Sequence, residues 1–124
     1  MSKQTPKNVL IGNYSVAVNR SEHAGFSRLI HLEADSLDTG NYKRFDVMFF
    51  EEATRNVGFV NPERNEVVAF MPPGDFSDIY TILQTEHRVW VEWIADESNN
   101  LKFFRITTEL GRAHVLPSKL PERG

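Results

Sequence analysis

The chain has 124 residues and a mass of 14.3 kDa, the size of one domain, and its 14 basic and 17 acidic residues give a net charge of −3. This slight acidic excess argues against binding to nucleic-acid phosphates, which requires a surplus of clustered cations. The absence of cysteine excludes disulfides, thiolate catalysis and cysteine-ligated metals. Because neither a signal-peptide core nor an apolar run of membrane-spanning length occurs, we expect a cytoplasmic protein with no membrane partner.

The first part of the chain, up to Met71, has the alternating pattern of β-strands. In its first run, Tyr14, Val16 and Val18 alternate with polar or small neighbours and therefore share one face. Turn-forming residues separate the runs, so the pattern predicts a continuous antiparallel meander. The five predicted strands are Val9–Asn19, Phe26–Ala34, Tyr42–Glu51, Asn56–Val60 and Glu66–Met71.

One short helix is predicted to interrupt the strands. Pro72, Pro73 and Gly74 end the fifth strand, and Asp75 is a suitable N-terminal cap. The apolar residues that follow recur with helical spacing and define one face. They are Phe76, Ile79, Tyr80 and Leu83. The helix is expected to end near Glu86 or His87 and, because it is short, to pack on the sheet.

Strands resume after the helix as a hairpin of Arg88–Ala95 and Leu101–Leu110. Favourable cross-strand pairs predict a register in which Glu92 lies opposite Lys102, and Trp90 opposite Phe104. Two further predictions concern the end of the chain, namely a short edge strand at Arg112–Leu116 and a loose tail at Pro117–Gly124.

The predicted fold is therefore mainly β. We expect seven or eight antiparallel strands in up-and-down order, forming a barrel or a strongly bent sheet, with one short helix between strands five and six. Residues 1–116 form a single β domain in this interpretation, and residues 117–124 are the tail. The expected core consists of Val16, Ile30, Leu32, Val47, Phe49, Phe59, Phe70, Leu83, Val91 and Trp93.

The hairpin and the third strand carry apolar residues on both faces, unlike a sheet with one solvated face. Either these strands are buried centrally under the helix and the first strand, or a partner covers the second face. The second possibility predicts a homo-oligomer, most simply a dimer, or a complex with another protein. The predicted interface residues are Trp90, Ile94, Phe104 and Phe50.

A pocket inside the barrel is the alternative. Charged and aromatic residues within the strands would line it and would bind a small molecule. The candidate ligand-binding residues are Arg44, Arg105, Trp93 and Phe103. An open interior would favour such a carrier, whereas a filled interior would favour association with a protein.

Metal chemistry is a second alternative. His31 and Glu33 leave the same face of a strand, and a distant His87 or His114 would complete a site with two histidines and one carboxylate. A solvated polar pair explains the same spacing. No nucleotide-binding, zinc-helix or serine-hydrolase motif occurs, and no cofactor is expected.

The sequence thus favours a non-enzymatic β-barrel module that acts by self-association or by binding a protein partner. A small-molecule carrier is the first alternative, and a metal-dependent enzyme that uses His31 and Glu33 is the second.

Overall fold

The computed structural model describes residues 6–18, 28–50 and 56–108. Within these ranges the chain is mainly β, and its helix lies between the fifth and sixth strands, as predicted. Short 3₁₀ turns at Pro62–Arg64 and Pro73–Asp75 precede the fifth strand and the helix. The elements are β1 (Lys7–Val18), β2 (Arg28–Ala34), β3 (Arg44–Phe49), β4 (Gly58–Asn61), β5 (Glu66–Met71), α1 (Phe76–Thr85), β6 (Trp90–Ala95) and β7 (Leu101–Thr107).

All of these strands belong to one sheet, in the order β4-β5-β3-β2-β1-β6-β7. The two edges of the sheet approach each other, because Phe59 in β4 forms a bridge with Asn100 just before β7. A backbone hydrogen bond of 2.8 Å from the Val60 N–H to the Asn99 carbonyl lies beside that bridge. The sheet is therefore a nearly closed barrel.

The prediction of a purely antiparallel, up-and-down order was wrong at β5. This strand pairs in parallel with β3, from Arg44 opposite Glu66 to Phe49 opposite Met71, and β4 lies outside it. Three consecutive residues of β5, Val67, Val68 and Ala69, are buried. Such an unbroken apolar run is typical of a strand with a neighbour on each side, whereas the short β4 suits an edge.

The interior of the barrel is filled by side chains that alternate inward along the strands. Trp93 forms its centre, with the rings of Tyr42 and Phe45 each 5.4 Å from its own. The buried set contains most of the predicted core. The predicted residues that are buried are Ile30, Leu32, Val47, Phe49, Leu83, Val91 and Trp93, while Val16 is only half-buried.

The structure places two predicted core residues, Phe59 and Phe70, on the outer surface instead. Phe59 is 41% exposed because its neighbours Gly58 and Val60 take the inward positions of β4. Gly58 has a φ of 134°, and a Cβ there would lie 2.0 Å from the Val68 carbonyl oxygen. Only glycine is compatible with that backbone, so the turn into β4 fixes which face receives Phe59.

The predicted register of the β6–β7 hairpin was also wrong, by three residues. Trp90 lies opposite Thr107, and Phe104 lies opposite Trp93, facing inward. The reason is the loop between the strands, where the Asp96 carboxylate accepts hydrogen bonds of 2.9 Å from two backbone N–H groups, those of Ser98 and Asn100. These bonds stabilise a longer loop than the predicted register allows.

Helix α1 packs over one end of the barrel. Its residues Ile79 and Leu83 are buried, and the ring of Phe76 meets that of Phe49 at 5.2 Å. Further along the helix, Tyr80 meets Tyr14 of β1 at 6.4 Å. No helix in the described ranges has the length and apolar character needed to cross a membrane.

Several predictions fall outside the described residues. They are the edge strand at Arg112–Leu116, the tail at Pro117–Gly124 and the position of His114.

Truncation of Phe49 tests the packed interior. Because this ring is fully buried, Phe49→Ala is expected to lower the free energy of unfolding by about 3–5 kcal/mol. Urea denaturation measures the change. The control is Leu37→Ala, at a side chain that is 82% exposed, and it should change stability by less than about 0.5 kcal/mol. Equal effects would contradict the packing described above.

Candidate interaction surfaces

Three phenylalanines line the outside of the barrel wall formed by β3, β5 and β4. The ring of Phe70 meets that of Phe50 at 5.3 Å and that of Phe59 at 6.1 Å. We call Phe50, Phe59 and Phe70 the outer aromatic strip. Met48 and Val68 face the same side beside it, since alternation along β3 and β5 turns the residues next to them in each strand into the core.

A polar row on β2 and β3 adjoins this apolar surface. His31 pairs with Asp46 across the strands, and Asp46 pairs in turn with Val68 beside the strip. The His31 Nδ1 lies 2.5 Å from an Asp46 carboxylate oxygen, and its Nε2 lies 3.3 Å from a Glu33 oxygen. The imidazole is thus held between two carboxylates on the outer surface.

The environment of His31 favours its protonated form. Burial lowers the pKa of His31, but the hydrogen bond and charge of Asp46, followed by those of Glu33, outweigh it. The net effect raises the pKa of His31 above its ordinary value of 6.5. The two carboxylates that accept from the ring of His31 are the physical cause of this preference for the imidazolium.

The third residue of the predicted metal site, His87, does not join His31 and Glu33. It follows α1 and lines a cavity beside Gly12 of β1, whereas His31 lies on the outer face of β2. Within residues 6–18, 28–50 and 56–108, no group of three histidine or acidic side chains has the geometry to hold a metal ion. His31 and Glu33 act here as a hydrogen-bonded pair.

The structure separates the four residues of the predicted interface. Trp90 and Ile94 point outward from β6, and Phe50 belongs to the outer aromatic strip on another part of the wall. Phe104 faces inward opposite Trp93 and packs against the core. These residues therefore form no single patch.

Sequence reasoning missed Phe59 and Phe70 as surface residues. One signal was present in the sequence, because Gly58, Phe59 and Val60 alternate and only one of their two faces can point inward. Which of the two faces points inward depends on the positive φ of Gly58, and the sequence pattern does not reveal this backbone angle.

The four predicted ligand-binding residues do not converge on the interior. Arg44 is exposed on the outer face of β3, and Trp93 is enclosed in the core. Arg105 points outward from β7, where its Nε and Nη2 atoms donate to one oxygen of the buried Glu92 at 2.7 and 2.6 Å. Its guanidinium also lies 5.8 Å from the ring centre of Phe103. Both arginines are thus on the outer surface.

A small cavity lies where β1 separates from β6, beside the end of α1. Its volume is about 130 Å³, and it is open to solvent on one side. Polar and apolar groups contribute about equally to its lining. The lining residues are Ile11, Gly12, Asn13, Tyr14, Leu83, Glu86, His87 and Val89.

No protein-family model, curated protein or solved structure matches this chain. The functional argument therefore depends on the geometry of its own residues.

The His31 environment predicts a specific pH dependence of stability. Since the folded-state pKa is raised above 6.5, the stabilisation is fully present below about pH 6.5 and is lost as pH rises through the folded-state pKa. Urea denaturation at a series of pH values should show this decline. It should be absent in His31→Gln and retained in the control His87→Gln. A wild-type slope that persists in His31→Gln would assign the effect to another group.

Proposed function

We propose that this protein is a non-enzymatic association module that binds a second copy of itself through the outer aromatic strip. The observation that carries the proposal is the edge-to-face series Phe50–Phe70–Phe59 on the outside of a barrel with a filled interior. Aromatic residues are enriched at the centres of protein interfaces, where they remove large apolar areas from water.

A two-fold dimer is the simplest way to cover such a surface. In a two-fold interface the same patch occurs on both subunits, so a self-complementary aromatic surface covers itself. Phe59 is the most exposed member of the strip, at 41%, and is the natural central contact.

The polar row beside the strip supports the same interpretation. Protein interfaces typically have an apolar centre and a solvated polar rim. Here His31, Asp46 and Glu33 provide that rim on one side of the strip, through the pairing of Asp46 with Val68. Charged groups in a rim contribute to the specificity of association more than to its strength.

The filled interior argues against the carrier alternative. Trp93, Phe45 and Phe49 occupy the centre of the barrel, and the two candidate arginines lie outside it. The separation of His87 from His31 and Glu33 likewise argues against the metal-enzyme alternative. The cysteine-free sequence supports action in a reducing, cytoplasmic setting, and association requires no cofactor.

The substitution Phe59→Ser tests the proposal. Removing a central aromatic contact is expected to cost about 2 kcal/mol of binding free energy or more, or roughly a 30-fold weaker association. Sedimentation velocity over a concentration series measures the change. The far-UV circular dichroism spectrum should remain that of a mainly β protein.

The matched control is Leu37→Ser, which removes an exposed apolar side chain from the loop after β2. It should leave association unchanged. The proposal fails if the wild-type protein is monomeric at tens of micromolar, or if Phe59→Ser and Leu37→Ser associate equally well.

A further inference from the structure

The cavity beside the end of α1 has an apolar base and a polar rim. Leu83 of α1 and Val89 of the connection to β6 line it, are only 8% and 5% exposed, and belong to the core. Asn13, Glu86 and His87 line the same cavity but are exposed. The buried side chains therefore form the base, and the exposed ones surround the opening. A molecule that suits this arrangement has an apolar part and one polar end.

The volume of the cavity limits the size of such a molecule. An apolar cavity of about 150 Å³ is large enough to hold benzene. The cavity here has a volume of about 130 Å³ and is open to solvent on one side. It therefore accommodates a chain of about four carbon atoms with one polar group at the opening.

The charges around the opening favour a cation. Glu86 contributes a carboxylate to the rim, and among the described residues that line the cavity none is a lysine or an arginine. Arg88 follows His87 in the chain but does not belong to that lining. Charge complementarity thus favours a positively charged ligand over a negatively charged one.

The end of α1 strengthens this preference. The C-terminus of a helix carries a partial negative charge from its aligned peptide dipoles, and a basic side chain in the last turn commonly complements it. The last turn of α1 reads ILQT and contains no basic residue. Glu86 directly follows this turn, and its N–H donates to the Ile82 carbonyl at 3.0 Å. A cation beside Glu86 would interact with both the carboxylate and the helix end.

We propose that the cavity binds a small primary alkylammonium ion, with its alkyl chain against Leu83 and Val89 and its ammonium group beside the Glu86 carboxylate. An ammonium group has three hydrogen-bond donors, and the side-chain oxygen of Asn13 and the neutral form of His87 are further acceptors at the rim. The alkyl chain enters first, because the base of the cavity is apolar and the acidic group lies at the opening.

A lysine side chain carries the same alkylammonium chemistry in the opposite order. Its alkyl stem is attached to a backbone that stays outside the cavity, so its ammonium group would have to enter the apolar base first. Burial of a charge among apolar groups is costly. The order of base and rim therefore favours a free amine over the lysine of a protein.

This site is separate from the surface proposed for association. It is formed by β1, α1 and the connection to β6, whereas the outer aromatic strip lies on β3, β5 and β4. It also opens to solvent at one end of the barrel, away from the filled interior around Trp93. The inference thus goes beyond the proposed function and does not depend on it.

A series of alkylammonium chlorides tests the proposal in the wild-type chain. n-Butylammonium should bind with a Kd of about 1 mM, and each methylene from ethyl- to butylammonium should tighten binding roughly threefold. Hexylammonium should bind no more tightly, because its chain exceeds the cavity. The NMR shifts of the backbone amides of Gly12, Asn13 and Val89 measure binding and locate it. Shifts that do not saturate at about 10 mM n-butylammonium, or that lie elsewhere in the chain, would overturn the proposal.

Analogues of n-butylammonium separate the effect of charge from that of size. n-Butanol and butyrate have chains of similar length and should bind at least about tenfold more weakly. A lysine that is acetylated at its α-amino group and amidated at its carboxyl group should also bind at least about tenfold more weakly. Equal binding of n-butanol would contradict recognition of the charge. Equal binding of the capped lysine would assign the site to a protein lysine and contradict a free amine as the ligand.

The substitution Glu86→Gln removes the acidic group with little change of shape. Because Glu86 is exposed, we expect n-butylammonium to bind roughly fivefold more weakly, while the binding of n-butanol stays the same. The matched control Glu97→Gln removes the same charge from the exposed loop after β6, at the other end of that strand. It should bind n-butylammonium as the wild type does. Equal affinities of the two variants would overturn the proposal, whether or not the protein associates through the outer aromatic strip.

Discussion

The change of partner along β1 is the constraint on which the rest of the structure depends. The strand pairs with β6 up to Leu10 and has a bulge between Ile11 and Asn13, after which β2 is its strand partner among the described residues. Two hydrogen bonds to the loop after β2 hold Leu10 in place. Its carbonyl accepts from the Asp35 N–H at 2.8 Å, and its N–H donates to the Asp38 carboxylate at 2.9 Å. Because β1 then leaves β6, the barrel opens at one end, and α1 packs there.

Alternation of apolar residues was sufficient to predict most strands and much of the interior. Ile30, Leu32, Val47 and Phe49 alternate with polar residues, so the buried face of β2 and β3 is evident from the sequence. The same pattern does not say which strand lies beside which. The parallel pairing of β3 with β5 therefore could not be derived, because periodicity defines faces and not neighbours.

The candidate surfaces were predictable only in part, for local backbone reasons. The sequence predicted excess apolar surface on the hairpin and on the third strand, whereas Phe59 and Phe70, which lie on the outer wall, were expected in the core. Which residues carry it depends on the positive φ of Gly58 and on the loop that Asp96 organises. The backbone at Gly58 determines the face on which Phe59 lies, and the loop determines the register of β7 against β6. A register shift by an odd number of residues moves every side chain of a strand to the opposite face.

The outer aromatic strip and the polar row beside it use different physical interactions, and this difference makes them complementary in the proposed association. Contact through the strip depends on removing apolar area from water, which is strong but non-directional. The row of His31, Asp46 and Glu33 carries charged and hydrogen-bonding groups, which contribute to the choice and orientation of a partner more than to affinity. Because Asp46 pairs with Val68, the two kinds of group lie side by side on one wall of the barrel.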